Sequence, residues 1–291
     1  MKFRAHETFF IRKGWLTKGM KYVLKYPNLF TNKDEKPSEV LGIGANMVLA
    51  LRYWLQAVGL TVERKNGKRE QVLTDFGTLV YDNDRYFEEL GTLHLLQYKL
   101  CSSKDDVSSW YFFFNEFNLS EFTKEDFIEA VQKFVSINGE DEVALRSLSD
   151  DFVCILNTYI PKYKADMDDF SPENNIACPL GEIGLLESVD KKKHIYKKKM
   201  PPSSLINPWV ALAIIMDNAN GEKEIPIQAI LNGPCNLGKI FNLDTISLID
   251  VLRSIERINK IKIIRTAGLD VIRLNDILSF EDCVRSFYSS I

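Results

Sequence analysis

The 291 residues are 45% apolar and 26% charged with a formal net charge of −3, the balance of a soluble globular chain long enough for two or three domains. The longest apolar run, near PWVALAIIM, is far too short to cross a bilayer, and the charged start MKFRAHETFF lacks the apolar stretch of a secretory signal, so a cytoplasmic chain without membrane contact is expected. Cys101, Cys154, Cys178, Cys235 and Cys283 stand far apart, without metal or redox spacing, and read as reduced, mostly buried thiols.

Charge is uneven along the chain. Residues 1–100 and 191–291 carry an excess of Lys/Arg, and 101–190 a large excess of Asp/Glu. Binding to a polyanion depends on local cation density, so a pI of about 5.8 leaves nucleic acid open as a partner.

In chain order, the first strong element is EVLGIGANMVLALRYWLQAVGL, helical because Met47, Val48, Leu51, Leu55 and Val58 recur every three or four residues, with Gly59 as its C-terminal stop. TVERKNGKREQVLT follows as two β-compatible arms about Asn66-Gly67, a type I′ hairpin signal with Arg64, Lys65, Lys68 and Arg69 at its tip. SSWYFFFNEF and NLSEFTKEDFIEAVQKFV build the core of a helical middle. From Lys162 to Pro202 a polar stretch ending in six lysines around His194 and Tyr196 reads as a loop-rich connection. LDTISLIDVLRSIERIN is again helical, with Leu248, Leu252, Ile255 and Ile258 on one face. KIKIIRTAGLDVIRL is again a hairpin, about Ala267-Gly268, and Arg253, Arg257, Lys260, Lys262 and Arg265 mark outer positions.

Helix, turn, helix, hairpin occurs near both ends. The expected fold is mainly α with small β-hairpins (α+β), with winged-helix-like units over 1–100 and 201–291 around an acidic helical middle over 101–200.

Gly42-x-Gly44 fails as a phosphate loop. Met47 occupies the place of a third glycine, no Lys-Ser/Thr follows, and Glu63 at ribose-acid spacing is weak support, so no nucleotide cofactor is expected. The same residues serve as a turn into a helix whose first turn enters a DNA groove. Asn46 then suits adenine or, alternatively, an N-cap, and Arg52 suits a phosphate or guanine or, alternatively, a surface ion pair. The hairpin cations fit a DNA backbone or a solvated turn.

Three histidines, His6, His94 and His194, are too few for a histidine-rich metal finger. Acidic clusters at Asp82, Asp84, Glu88 and Glu89, or at Asp166, Asp168 and Asp169, offer oxygen donors for Mg²⁺ or Mn²⁺, or form solvated loops. His6-Glu7 beside Arg12 suits acid–base work at a phosphate, or His6 is structural.

FRAHETFFIRKGWLTKG, LGIGANMVLALRYWLQAVGL, LTDFGTLVYDND with GTLHLLQY, SDDFVCILNTYI and CPLGEIGLL, in this order, resemble the landmarks of a bacterial family of unknown-function domains encoded beside DNA phosphorothioation genes, which includes the SspB-like component of single-strand systems. The resemblance implies a protein that nicks or presents double-stranded DNA for sulfur incorporation in a defence system, with a cysteine desulfurase and an ATP-dependent sulfur-transfer component as partners. It points to His6, Glu7, Thr8, Arg12, Gly14 and Trp15, and to Gly42, Gly44, Asn46, Arg52 and Trp54. Ala45 and Leu49 stand where the family commonly carries cations. The alternative is a non-catalytic DNA-binding adaptor or regulator that recruits the modification machinery.

Overall fold

Gly14, at φ 83°, turns the chain into its first helix. The computed structural model describes residues 1–31, 36–66, 68–160, 177–266 and 269–291. Helix α1 (Trp15–Lys25) buries Trp15, Leu16, Met20 and Val23. After α2 (Pro37–Leu41), with proline in its first turn, Gly42 ends the helix at φ 62° and Gly44 precedes α3 (Ala45–Ala57). Helix α1 lies directly on α3: a Cβ on Gly19 would stand 2.6 Å from Leu55 Cδ1.

Strands β1 (Thr61–Asn66) and β2 (Lys68–Leu73) pair antiparallel, from Thr61 against Leu73 to Asn66 against Lys68. The arms are as expected; Gly67 of the proposed Asn66-Gly67 turn lies outside the described residues. Helix α4 (Asp75–Asp84) starts on Thr74, whose hydroxyl oxygen accepts the Gly77 amide. A Cβ at Gly77 would stand 1.9 Å from the Leu60 carbonyl oxygen, so this turn of α4 sits flush on backbone. Gly77→Ala is therefore expected to destabilise by about 1–3 kcal/mol through forced backbone displacement. Alanine at the exposed Thr78 should change stability by no more than about 0.5 kcal/mol. Paired urea titrations of the two variants check this.

The middle contains α5 (Leu90–Ser102), α6 (Ser108–Asn115), β3 (Glu121–Phe122), α7 (Lys124–Ile137) and α8 (Leu145–Tyr159). Helix α5 is buried almost all round, from Gly91 to Cys101, which marks it as the central helix. The expected Thr123–Asp126 start of α7 is a full capping box.

The connection expected over 162–202 is only partly loop. Residues 161–176 lie outside the described set, while β4 (Leu186–Asp190) and β5 (Ile195–Lys198) form a sheet with β3 in the order β3-β5-β4. The lysines that suggested a loop are accommodated because Lys197 faces Glu121 and Lys199 faces Glu187 across the strands, while Tyr196 packs on Phe122 and Phe152.

Toward the C-terminus come α9 (Pro208–Asn218), β6 (Glu224–Pro226), α10 (Ile227–Asn232), α11 (Leu237–Ile240), α12 (Thr245–Arg257), β7 (Ile261–Thr266), β8 (Leu269–Leu274) and α13 (Phe280–Ser289). The expected hairpin gains a third strand, giving β6-β8-β7; Ala267-Gly268 lie outside the described residues. Helix α13 then returns to α9 and α4. Phe280 meets Phe76 at 5.6 Å, Tyr288 shares a 2.9 Å hydroxyl hydrogen bond with Thr92, and the Phe287 ring fills the space above Gly91. The fold is thus α+β, mainly helical with small antiparallel sheets, around an apolar core that runs from Ile11 to Phe287. The thiols of Cys101, Cys154, Cys178 and Cys283 are buried and Cys235 half-buried, all unpaired, and burial pushes Cys178 and Cys283 up to about 12. Among the described residues no helix is long and apolar enough to cross a membrane.

Candidate nucleic-acid interface

His6 lies at the centre of a tight N-terminal turn and is only 1% exposed. Its ring stacks on Trp54 at 5.8 Å and meets the edge of Trp110 at the same distance. Nδ1 accepts the Thr8 amide at 3.1 Å, so Nε2 carries the proton and donates to Asp151 Oδ1 at 2.7 Å. Asp151, on α8, also accepts the Arg4 amide on Oδ1 and the Ser109 hydroxyl on Oδ2. Both ring nitrogens of His6 are therefore engaged in holding the turn.

That turn is strained: Arg4, Glu7 and Thr8 have φ of 56°, 50° and 69°, a left-handed conformation that side chains with a Cβ rarely adopt. It leaves Glu7 half-buried and Thr8 exposed. Arg12 is held by aromatic faces, its guanidinium 5.7 Å from the Phe9 ring centre and 5.4 Å from that of Trp15. Neither Glu7 nor Arg12 has an oppositely charged partner among the described residues.

Asn46 is exposed at the second position of α3, and its N-cap is Gly44, so Asn46 does not cap this helix. Trp54, about three-quarters of the way along α3, is fully buried and donates its indole N–H to the Phe9 carbonyl at 2.8 Å. Arg52 takes the ion-pair alternative: Nη2 and Nε reach Glu63 Oε1 at 2.6 and 2.8 Å. Six residues of helix place Asn46 and Arg52 roughly 120° apart about the axis, so they do not share one face. Glu63, weighed above as a ribose acid, is Arg52's partner and also stands 3.6 Å from Arg69.

The hairpin register puts Arg64 opposite Glu70 and on the other face from Glu63 and Gln71, so Arg64 and Arg69 face apart. The side chains of Lys65 and Lys68 lie outside the described residues. At the other end, Arg253 is 3.4 Å from Asp250, and Arg257 and Lys262 are exposed. The solvent face of α12 also carries Asp250 and Glu256, which leaves it mixed in sign.

Of the acidic clusters, Asp84 is a structural cap: its two oxygens accept the amides of Glu88 and Glu89 at the start of α5. Asp82, Glu88 and Glu89 are exposed, Asp166, Asp168 and Asp169 lie outside the described residues, and no group of three His, Cys, Asp or Glu converges among those described. Sequence reasoning missed Asp151 and Ser109, the partners that fix His6. No local spacing connects residues 145 positions apart.

A family model described as a protein of unknown function, DUF4007, matches residues 3–288. No curated protein matches. Two solved structures are similar, each at 24% identity over 99% of this chain: "Magnesium ion-bound SspB crystal structure", with TM-score 0.83 over 88% of that chain, and "SspB crystal structure", with TM-score 0.84 over 87% of that chain. At this identity the likeness speaks for a shared fold.

Proposed function

The chain belongs to the DUF4007 family, and on that premise we propose that it is a DNA-binding protein of a bacterial DNA phosphorothioation system that nicks the duplex to admit sulfur. The observation that carries the DNA-binding reading is Asn46, exposed in the first turn of α3 where an asparagine amide can pair with an adenine edge in the major groove. The C-terminal order, α9, β6, α10, α11, α12 and the β7–β8 hairpin, with β6 added beside β8, supports a winged-helix-like reading of that unit. In this reading Arg253, Arg257 and Lys262, and the cations Arg64, Lys65, Lys68 and Arg69 of the other hairpin, contribute backbone-phosphate contacts. A cysteine desulfurase and an ATP-dependent sulfur-transfer component in the cytoplasm are the partners this reading needs.

For nicking, the reacting phosphate sits beside Glu7 and Arg12, with His6 holding the turn that carries Glu7. Glu7 fits a divalent ion, because Mg²⁺ or Mn²⁺ takes one or two hard carboxylates and keeps its remaining waters, and this carboxylate has no partner among the described residues. A bound ion would supply charge stabilisation at a phosphoryl oxygen. Arg12, in its aromatic cradle and without a carboxylate partner among the described residues, binds the phosphate itself.

The engagement of both His6 nitrogens favours a second reading, a DNA-binding adaptor without catalysis. Supercoiled plasmid with Mg²⁺ or Mn²⁺ separates the two. Nicking predicts open circles from the wild type and a loss on the order of 10²-fold in Glu7→Gln. Duplex binding without open circles under either metal would leave the adaptor, and absence of binding would end both readings.

A further inference from the structure

The DNA-binding reading assigns its backbone contacts to hairpins and to α12, yet an acid-free run of cations lies elsewhere. From Thr8 to Lys33 the sequence has Arg12, Lys13, Lys18, Lys21, Lys25 and Lys33 and no Asp or Glu, in a chain whose 40 acids outnumber its 37 Lys and Arg. Resting on the DNA-binding reading, we propose that the solvent face of α1 is the principal phosphate track, with Lys13, Lys18, Lys21 and Lys25 lying along the DNA backbone.

Three observations carry this. The first is geometry: Lys18, Lys21 and Lys25 recur at three- and four-residue spacing, so they form one stripe about 10 Å long on the side opposite Leu16, Met20 and Val23, and Lys13 precedes it at the helix start.

The second is pairing. Lys18 Nζ donates to the Leu41 carbonyl at 3.1 Å, Lys25 Nζ lies 5.0 Å from the Tyr26 ring centre, and none of the four lysines has a carboxylate at ion-pair distance among the described residues. Elsewhere Arg52 and Arg69 share Glu63, Arg253 has Asp250, Lys260 has Asp276 and Arg273 has Glu224, while Arg64, Arg257 and Lys262 likewise have no ion pair among the described residues. A paired cation must give up its carboxylate before it can meet a phosphate; among the described residues Lys13, Lys21 and Lys25 have none to give up, and Lys18 gives up only its bond to the Leu41 carbonyl.

The third is position. The Lys18 bond to Leu41 sets the start of the stripe at the end of α2, which three residues separate from α3 and its exposed Asn46. One duplex can then lay its backbone on α1 while a groove edge meets the start of α3.

A basic amphipathic helix also suits an anionic membrane surface. Here the apolar face is already buried in the protein, with Gly19 against Leu55 and Leu16 and Met20 in the core, and only Leu24, 52% exposed, is left to insert. The stripe therefore fits a polyanion that asks for charge alone.

The test uses full-length Lys13→Gln/Lys21→Gln/Lys25→Gln, all three side chains being exposed, with a fluorescent duplex of random sequence titrated across salt. The expected result is a salt slope shallower by about two to three units and affinity lower by roughly tenfold or more, with binding restored in the corresponding triple Arg variant. Arg64→Gln/Arg69→Gln should change the slope by less than about one unit. Lys21→Glu alone, expected to weaken binding with a normal melting curve, gives the same answer should the triple variant fold poorly. Wild-type binding with an unchanged slope in the triple variant overturns the α1 track and leaves the DNA reading standing. Absence of wild-type binding ends the DNA reading itself. Loss of binding to phosphatidylserine vesicles with an unchanged duplex slope would assign α1 to a membrane surface and overturn the proposal.

Discussion

Asp151→Ala is expected to cost about 3–5 kcal/mol of stability, because it strips the acceptor from three buried donors at once. The Arg4 amide and His6 Nε2 converge on Oδ1, and the Ser109 hydroxyl on Oδ2, in a site where Asp151 and His6 are each about 1% exposed. Asp151→Asn should cost roughly half as much: its carbonyl oxygen still receives Arg4 and His6, and the Ser109 hydroxyl can rotate to accept from the new amide. Ser109→Ala, which removes one donor, should cost about 1 kcal/mol. Urea unfolding of the three variants tests the order Ala, Asn, Ser109→Ala, and equal losses for the two Asp151 variants would show that its charge, rather than its acceptor count, holds the turn. Because this network holds Arg4, Glu7 and Thr8 at positive φ, Asp151→Ala should also release the strained turn that presents Glu7.

Elements whose burial follows a local period were legible. Helices α3 and α12 declared themselves through Met47, Val48, Leu51 and Leu55 and through Leu248, Leu252 and Ile255, and the arms of both hairpins through alternation about Gly-containing turns. What the sequence hid is non-local. Strand β6 pairs with β8 through Glu224 and Arg273, β3 recruits β5 from more than seventy residues away, and α13 returns to Phe76 and Gly91. Single-chain periodicity carries no information on such pairings. The Lys191–Lys199 run misled for a specific reason: a lysine-rich strand looks like a linker until Glu121 and Glu187 are seen across from it.

The candidate site was legible in the same measure. Gly42–Gly44 as the turn into α3 and Asn46 in its first turn follow from the positive φ that glycine permits and from the apolar period that starts at Met47; that Gly42 also ends α2 was not legible. Arg52 was ambiguous because an arginine on a helix looks alike whether it waits for a phosphate or bonds to Glu63 in the following strand. The α1 lysines drew less notice than the denser Arg64–Arg69 cluster, although the acid-free stretch from Thr8 to Lys33 was visible throughout. Cation density is a poor guide unless carboxylates that fold back onto it are subtracted, and only the structure shows that Glu63 does so.

His94 gives the clearest pH-dependent expectation. It lies in α5 at 0% exposure, edge-on to Phe241 at 5.1 Å, with neither ring nitrogen hydrogen-bonded, and burial drives its pKa down to about 4. Its unfolded value is about 6.5. Between these two values the unfolded chain binds the extra proton, so the His94 contribution is fully present above pH 6.5 and is lost as the pH falls toward 4. A gap of about 2.5 units corresponds to roughly 3 kcal/mol at the acid end. His94→Leu removes both the titration and two unpartnered nitrogens, so it should match or exceed wild-type stability at pH 7 and outlast it increasingly from pH 6.5 down to 4. Carboxylates titrate alike in the two proteins, so the difference between their urea midpoints isolates His94. Midpoints that fall in parallel on acidification would mean that His94 accepts its proton inside the folded protein, and that a buried water or a shifted Phe241 stabilises the charge.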